Sequence, residues 1–260
     1  MLRLPVSDVL VRWRPARGLH DTVLAESGPG LAGALACAEG CVEDAAGRTV
    51  DPAALPVGDL DLLIVQRRRE LRSDWFVAEG RCGACGAAVD VRFGLAAYLE
   101  HCRPRRPRGV SPAEPGWWRH DRLRLTFRVP SVADVLASAG AGRPRADLLR
   151  RLVREPVTAG QAGILERAMA ALAPTLRTEV AGTCPECGQQ VRLDVDAREL
   201  CLAELRFLAG SVHDDVHLIA ATYGWSEQAI LDLPSRRRRR YADLIAGRTE
   251  MVSLEAVAGG

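Results

Sequence analysis

CPECGQQVRLDV, Cys184–Val195, is a Cys-x-x-Cys-Gly turn that runs straight into an alternating strand. The same pattern stands about a hundred residues earlier as CGACGAAVDVRF, Cys82–Phe93. The offset is constant: Gly80 matches Gly182, Cys82 matches Cys184, Cys85 matches Cys187, Gly86 matches Gly188, and Val89 and Val91 match Val191 and Leu193. The chain therefore reads as an α+β, mainly α fold. It has two related halves, each with a small Cys-x-x-Cys-Gly β-knuckle, and a helical C-terminal region. The first half takes residues 1–102, a Pro/Arg-rich linker takes 103–118, and the second half takes 119–260.

Two cysteines three apart on a tight turn aim both sulfurs at one point, which is half of a tetrahedral thiolate site with zinc as its usual occupant. The glycine after the second cysteine lets the turn enter the left-handed region while backbone N–H groups face the sulfurs. One pair needs a second, and the repeat supplies it, so Cys82, Cys85, Cys184 and Cys187 are expected to close one structural Zn²⁺ site. The alternatives are two half-sites that never meet, a redox pair, a disulfide pair, or a symmetric dimer whose knuckles pair between chains. The stretch between the knuckles far exceeds the ~15–20 residues of an ordinary four-cysteine ribbon. The repeat favours a shared site all the same, because duplicated domains often pack pseudo-symmetrically. Each knuckle leads into a strand rather than opening a helix that would depress a thiol pKa, which argues against redox work.

The bulk composition limits the remaining classes. The 260 residues are 48% hydrophobic, enough for one large or two small cores. No apolar run reaches the ~18 residues of a membrane span. MLRLPVSDVLVRW lacks the apolar region of a secretion signal, so a cytoplasmic protein is expected. Eight cysteines in that setting favour metal over a disulfide framework. A formal charge of +2 makes no global case for nucleic acid. All 35 basic residues are Arg, a bias of the whole chain that weakens any reading of a single Arg cluster as a designed patch.

Around the knuckles the expected elements are as follows. VSDVLVRW reads as a short helix capped by Ser7 or Asp8. GPGLAG, Gly28–Gly33, matches G-x-G-x-x-G, but no buried strand precedes it and no βαβ alternation follows. It reads as a loop entering an Ala-rich helix that carries Cys37 and Cys41, small core thiols outside the metal site. Asp59 caps a helix whose Arg67–Arg69 form a solvated face. LAAYLEHC is a short helix on which His101 and Cys102 point about 100° apart, too far for both to bind one ion. The linker, with its four prolines, makes neither helix nor inner strand.

In the second half, Ser131 and Asp134 form a capping box and Pro144 starts the next helix. A long helical stretch after the second knuckle weakens at Gly210 and ends at Gly224. Ser226 caps a short helix. Arg236–Arg240 cover every direction around the last helix, so at least one must face the core and seek a carboxylate from among Asp214, Asp215 and Glu227. Tyr241, Leu244 and Ile245 are expected to face inward.

HDDVH, His213–His217, places two histidines at i and i+4 as in H-E-x-x-H, with Asp214 where the general base belongs. No third ligand is evident, and a helix-packing His217 is the preferred reading over a zinc hydrolase. No nucleophile elbow or phosphate-binding loop appears. A zinc-ribbon nucleic-acid binder using the linker and the C-terminal arginines is the alternative from another class.

FRVPSVADVLA, the CPECG knuckle and VHLIAATYGWSEQAILDLPSRRRRRYADLI resemble the baseplate protein family of contractile phage tails, with relatives in phage-tail-derived bacterial contractile injection systems. The specific residues are Val216-His217-Leu218, Tyr223–Glu227, Ile230, Leu231, Leu233, the arginine run and Tyr241. LPVGDLDLLIVQRRREL and the first knuckle extend the resemblance into the first half. It implies a non-enzymatic baseplate or hub component, or a hub assembly factor, with other tail proteins as partners. The implied partner surface is Trp225, Leu231, Leu233, Arg236, Arg237, Arg240 and Tyr241.

Overall fold

Helices alternate with small antiparallel sheets in a computed structural model that describes residues 1–258. β1 (Leu2–Arg3) and β2 (Leu10–Trp13) are followed by α1 (Gly18–Glu26) and α2 (Gly30–Ala38), then by β3 (Val42–Asp44), which closes a three-stranded sheet in the order β1-β2-β3. α3 (Val57–Arg69) leads into a hairpin of β4 (Trp75–Arg81) and β5 (Ala88–Gly94), and α4 (Leu95–His101) follows. Next come β6 (Val110–Glu114), β7 (Trp117–His120) and β8 (Leu125–Phe127) in one sheet, then α5 (Val132–Ala139), α6 (Pro144–Leu152) and α7 (Ala159–Leu172). A second hairpin of β9 (Arg177–Thr183) and β10 (Gln190–Asp196) precedes α8 (Ala197–Ala209). α9 (Val212–Tyr223), α10 (Glu227–Leu231) and α11 (Ser235–Ala258) complete the chain. No helix of the described residues is long and apolar enough to cross a membrane.

The main apolar cluster crosses from one side of the Pro/Arg-rich stretch to the other. It joins Leu60, Leu63 and Ile64 of α3, Val89 and Val91 of β5, and Leu95 of α4 to Val195 of β10 and to Leu202 and Leu205 of α8. Polar ties reinforce it. The Tyr98 hydroxyl on α4 lies 2.8 Å from both the Leu176 and Val195 carbonyls, donating a shared hydrogen bond to the strand ends of the second hairpin. Arg198 of α8 reaches Asp61 of α3 at 2.9 Å, and the other Asp61 oxygen accepts from Leu176 N–H at 3.0 Å. A second cluster, around Phe127, Leu152 and Leu165, lies beneath β6–β8. A third, of Ile219, Ile230 and Ile245, lies under α9–α11.

Several expected local features are present. Ser131 Oγ accepts from Asp134 N–H and the Asp134 carboxylate accepts from Ser131 N–H, closing the capping box of α5. Gly224 ends α9 at φ +66°, and Ser226 Oγ accepts from Ala229 N–H at the start of α10. Gly28 and Pro29 lead into α2, whose first turn takes up Gly30–Gly33, so the GPGLAG stretch enters a helix with less loop than expected.

Others differ, each for a tertiary reason. VSDVLVRW contains β2, because pairing with β1 and β3 outweighs a short helix, and Asp8 turns the chain at φ +59°. Asp59 is interior to α3. Its carboxylate accepts from the N–H groups of Val6 and Ser7 at 3.0 and 2.8 Å and so anchors the N-terminus. Arg67–Arg69 are not one solvated face: Arg68 is buried, pairs with Glu204 of α8 at 3.0 Å and lies over the Phe76 ring at 4.2 Å. The Pro/Arg-rich stretch holds β6, whose one proline, Pro112, is tolerated at a sheet edge. Leu244 is 43% exposed, so α11 turns Ile245 inward but not Leu244.

Arg238 is the arginine of the run that enters the core, with no exposed surface. Nε donates to Asp215 Oδ2 of α9 at 2.9 Å. Nη2 lies 2.8 Å from Asp21 Oδ2 of α1, an ion pair whose N–H is poorly aligned. Asp215 was among the expected partners; Asp21, some two hundred residues upstream, was not. The triad clamps α11 onto both α9 and α1. Removing one carboxylate leaves a buried guanidinium under-compensated, so Asp215→Ala is expected to lower unfolding free energy by about 3–5 kcal/mol, read as a shifted urea midpoint.

Candidate metal centre

The two hairpins are built alike down to their turns. In the first, Cys82 N–H donates to Ala87 C=O at 2.9 Å and Gly86 N–H to Cys82 C=O at 2.8 Å. In the second, Cys184 N–H donates to Gln189 C=O at 2.9 Å and Gly188 N–H to Cys184 C=O at 3.0 Å. Gly86 and Gly188 have φ of +75° and +73°, the left-handed conformation that a side chain would strain. The first cysteine of each turn is buried and the second exposed.

Strand register sets how the hairpins meet. Gly80 of β4 faces Leu193 of β10, and Gly182 of β9 faces Val91 of β5. A Cβ on Gly80 would stand 2.4 Å from Leu193 Cδ2, and one on Gly182 would stand 2.6 Å from Val91 Cγ2. These two contacts exchange under the same offset that relates the sequences. The tight approach brings the turns together, with Cys82 Sγ 3.6 Å from Cys187 Sγ and Cys85 Sγ 3.7 Å from Cys184 Sγ.

All four sulfurs lie within 4.8 Å of one another. A tetrahedron with zinc–sulfur bonds of about 2.3 Å has edges of about 3.8 Å, so the sulfur spacing fits a single four-coordinate ion. The electrostatics agree. Backbone N–H groups of Cys85 and Ala84 hold the Cys82 thiol down at about 6. For Cys187, the Gln189 N–H favours the thiolate, but the sulfurs of Cys85, Cys82 and Cys184 outweigh it and push the group up to about 12. Four crowded thiols cannot all ionise without a cation among them, and a bound divalent metal removes that conflict.

The other cysteines stand apart from the centre. Burial pushes Cys37 up to about 12 and raises Cys41, Cys102 and Cys201, as suits core thiols. His101 is exposed. His217 is exposed on α9 rather than packed, because the helix turns Val212, Asp215 and Ile219 inward. His213 is exposed and lies 3.9 Å from Glu26. Among the described residues no third metal-binding side chain joins these histidines.

The residues singled out for partner binding divide. Trp225 and Tyr241 meet at 5.4 Å between ring centroids, and Arg236, Arg237 and Arg240 are exposed beside them. Leu231 is buried against Gly18 of α1. Leu233 is half-buried, with its carbonyl accepting from Gly18 N–H at 3.3 Å. Packing of α1 on α10, invisible in the local pattern, takes Leu231 out of the surface.

No protein-family model, curated protein or solved structure matches the chain.

Two measurements follow from the centre. Native mass spectrometry is expected to show one metal equivalent per chain, lost on Cys184→Ser; two equivalents, one surviving the substitution, would break the shared site. Gly182→Val forces a branched side chain into Val91 and is expected to cost about 1–3 kcal/mol in a denaturant titration and to weaken metal retention against a chelator.

Proposed function

We propose that this chain is a non-enzymatic, zinc-stabilised component or assembly factor of the baseplate or hub of a contractile phage-tail-like particle. It acts in the cytoplasm, where the particle is assembled, by binding other tail proteins. The observation that carries the structural role is the closed thiolate set. Four protein sulfurs satisfy every position of a tetrahedral ion and leave none for water or substrate, the mark of a structural rather than a catalytic zinc. The exposed, two-ligand arrangement at His213 and His217 adds no second centre to weigh against it.

The shared offset of sequence, turn geometry and inter-hairpin contacts supports reading the two helix–hairpin–helix units as related halves whose knuckles meet. Zinc is the favoured ion because a closed all-thiolate tetrahedron suits it and its d¹⁰ shell asks for no further geometry. The particle assignment rests on the likeness of Val216–Tyr241 to the baseplate family. That segment folds as most of α9, α10 and the start of α11, and it carries the exposed Trp225, the half-buried Tyr241 and the exposed Arg236, Arg237 and Arg240 to one face.

Deleting the gene in the producing bacterium tests this. Electron microscopy is expected to show loss of complete sheathed particles, restored by the wild-type gene and not by Cys184→Ser. Particles of normal number and form would refute the role.

A further inference from the structure

The outward face of α11 carries two adjacent rows. Arg236, Arg240 and Leu244 recur every four residues, and Arg237 and Tyr241 form the row beside them. Tyr241 then meets Tyr223 and Trp225 at centroid distances of 6.1 and 5.4 Å, and Tyr223 meets Trp225 at 5.4 Å. Tyr223, Trp225 and Leu244 are 40%, 38% and 43% exposed, so the rings and the leucine make a continuous apolar strip open to solvent. Along its edge, Arg236, Arg237 and Arg240 have no carboxylate partner among the described residues; Arg237 donates only to the Tyr241 hydroxyl, at 3.2 Å. Some exposed arginines elsewhere are paired, as with Arg145–Glu166 and Arg154–Glu114, and others such as Arg72 and Arg122 stand alone among the described residues; what sets the α11 arginines apart is that three of them border exposed aromatic rings.

We propose that this strip is a docking surface for a protein segment in which carboxylates alternate with large apolar side chains. The chemistry follows from what the surface lacks. Three fixed cations want two or three carboxylates, and the rings with Leu244 want apolar cover. Aromatic and arginine side chains together are the usual anchors of protein interfaces. The surface is also held in place before binding: Tyr241 packs on the Ile219–Ile230–Ile245 cluster, and Arg238 clamps the helix from beneath, so little ordering is required.

A nucleic acid fits less well. Tyr241 stands edge-on to both neighbouring rings, at 71° and 84°, rather than forming an open platform for successive bases. Leu244 offers a phosphate backbone nothing. The inference rests on the reading of the chain as a binding component and not on which particle it serves.

Selection of a random phage-displayed peptide library on the full-length, zinc-loaded chain tests it. Selected peptides are expected to be enriched in Asp and Glu interleaved with Leu, Phe or Trp. Affinity for the best peptide should fall about tenfold or more on Trp225→Ala and on the double change Arg237→Glu with Arg240→Glu. The double change Arg108→Glu with Arg122→Glu, an equal charge change at exposed positions before β6 and between β7 and β8, should leave it unaltered. Four outcomes each overturn the proposal: no enriched peptide, peptides without acidic residues, affinity indifferent to the α11 changes, or tighter binding of oligo(dT) or oligo(U) with the same arginine dependence. Zinc content and thermal melting are read on the same preparations. A variant that keeps its zinc but loses the peptide locates the effect at this surface; a wild-type chain without zinc would instead count against the metal-stabilised scaffold.

Discussion

Two hairpins come close enough to share four sulfurs because the residue at each point of closest approach is a glycine. With a side chain on Gly80 or Gly182, the facing Leu193 or Val91 would be displaced, and the sheets would separate by roughly a methyl group's width. The sulfurs sit at the hairpin tips, so a small separation there would spoil the tetrahedron. The glycines inside the strands and the glycines of the turns thus do different jobs. The first pair sets the distance between hairpins, and the second lets each turn point both sulfurs and their N–H donors at one place. The helices packed around the hairpins inherit this placement, since α4 and α8 leave directly from β5 and β10.

The four-cysteine cluster is not the sole link across the chain. The main apolar cluster draws on both sides of the Pro/Arg-rich stretch, and Tyr98, Asp61 and Arg198 add buried polar ties between the same elements. A chain without lysine uses arginine for every internal cation, and the planar guanidinium can serve two partners at once. Arg68 stacks on Phe76 while pairing with Glu204, and Arg238 sits between Asp215 and Asp21. In both cases one charged side chain couples helices far apart in sequence. Such buried ions are costly to leave unpaired, which makes them specific connectors rather than large net sources of stability.

These couplings also explain where reading the chain failed. Caps and breaks were legible at Ser131, Gly224 and Ser226 because their chemistry involves neighbours a few residues away. Asp59 looked like a cap for the same local reason, yet its carboxylate was claimed by the backbone of Val6 and Ser7. β2 forms where a helix is expected because, beside the nearby β1, it pairs with β3, which lies beyond two intervening helices. Leu231 looked available to a partner until α1 packed over it.

What the amino-acid sequence determined by itself is the pair of knuckles: their cysteines, their glycines, the strands leaving them and the constant offset between them. That information is local and repeated, so it can be read without knowing the path of the chain between. Long-range packing, by contrast, brings the two knuckles together, makes Asp21 the second partner of Arg238, and joins the exposed face of α11 to Tyr223 and Trp225. Those outcomes depend on strand register, on the close approach at Gly80 and Gly182, and on which helix covers which. These are long-range packing choices, made by burying apolar surface and matching charges across the whole chain, and no window of neighbouring residues contains them.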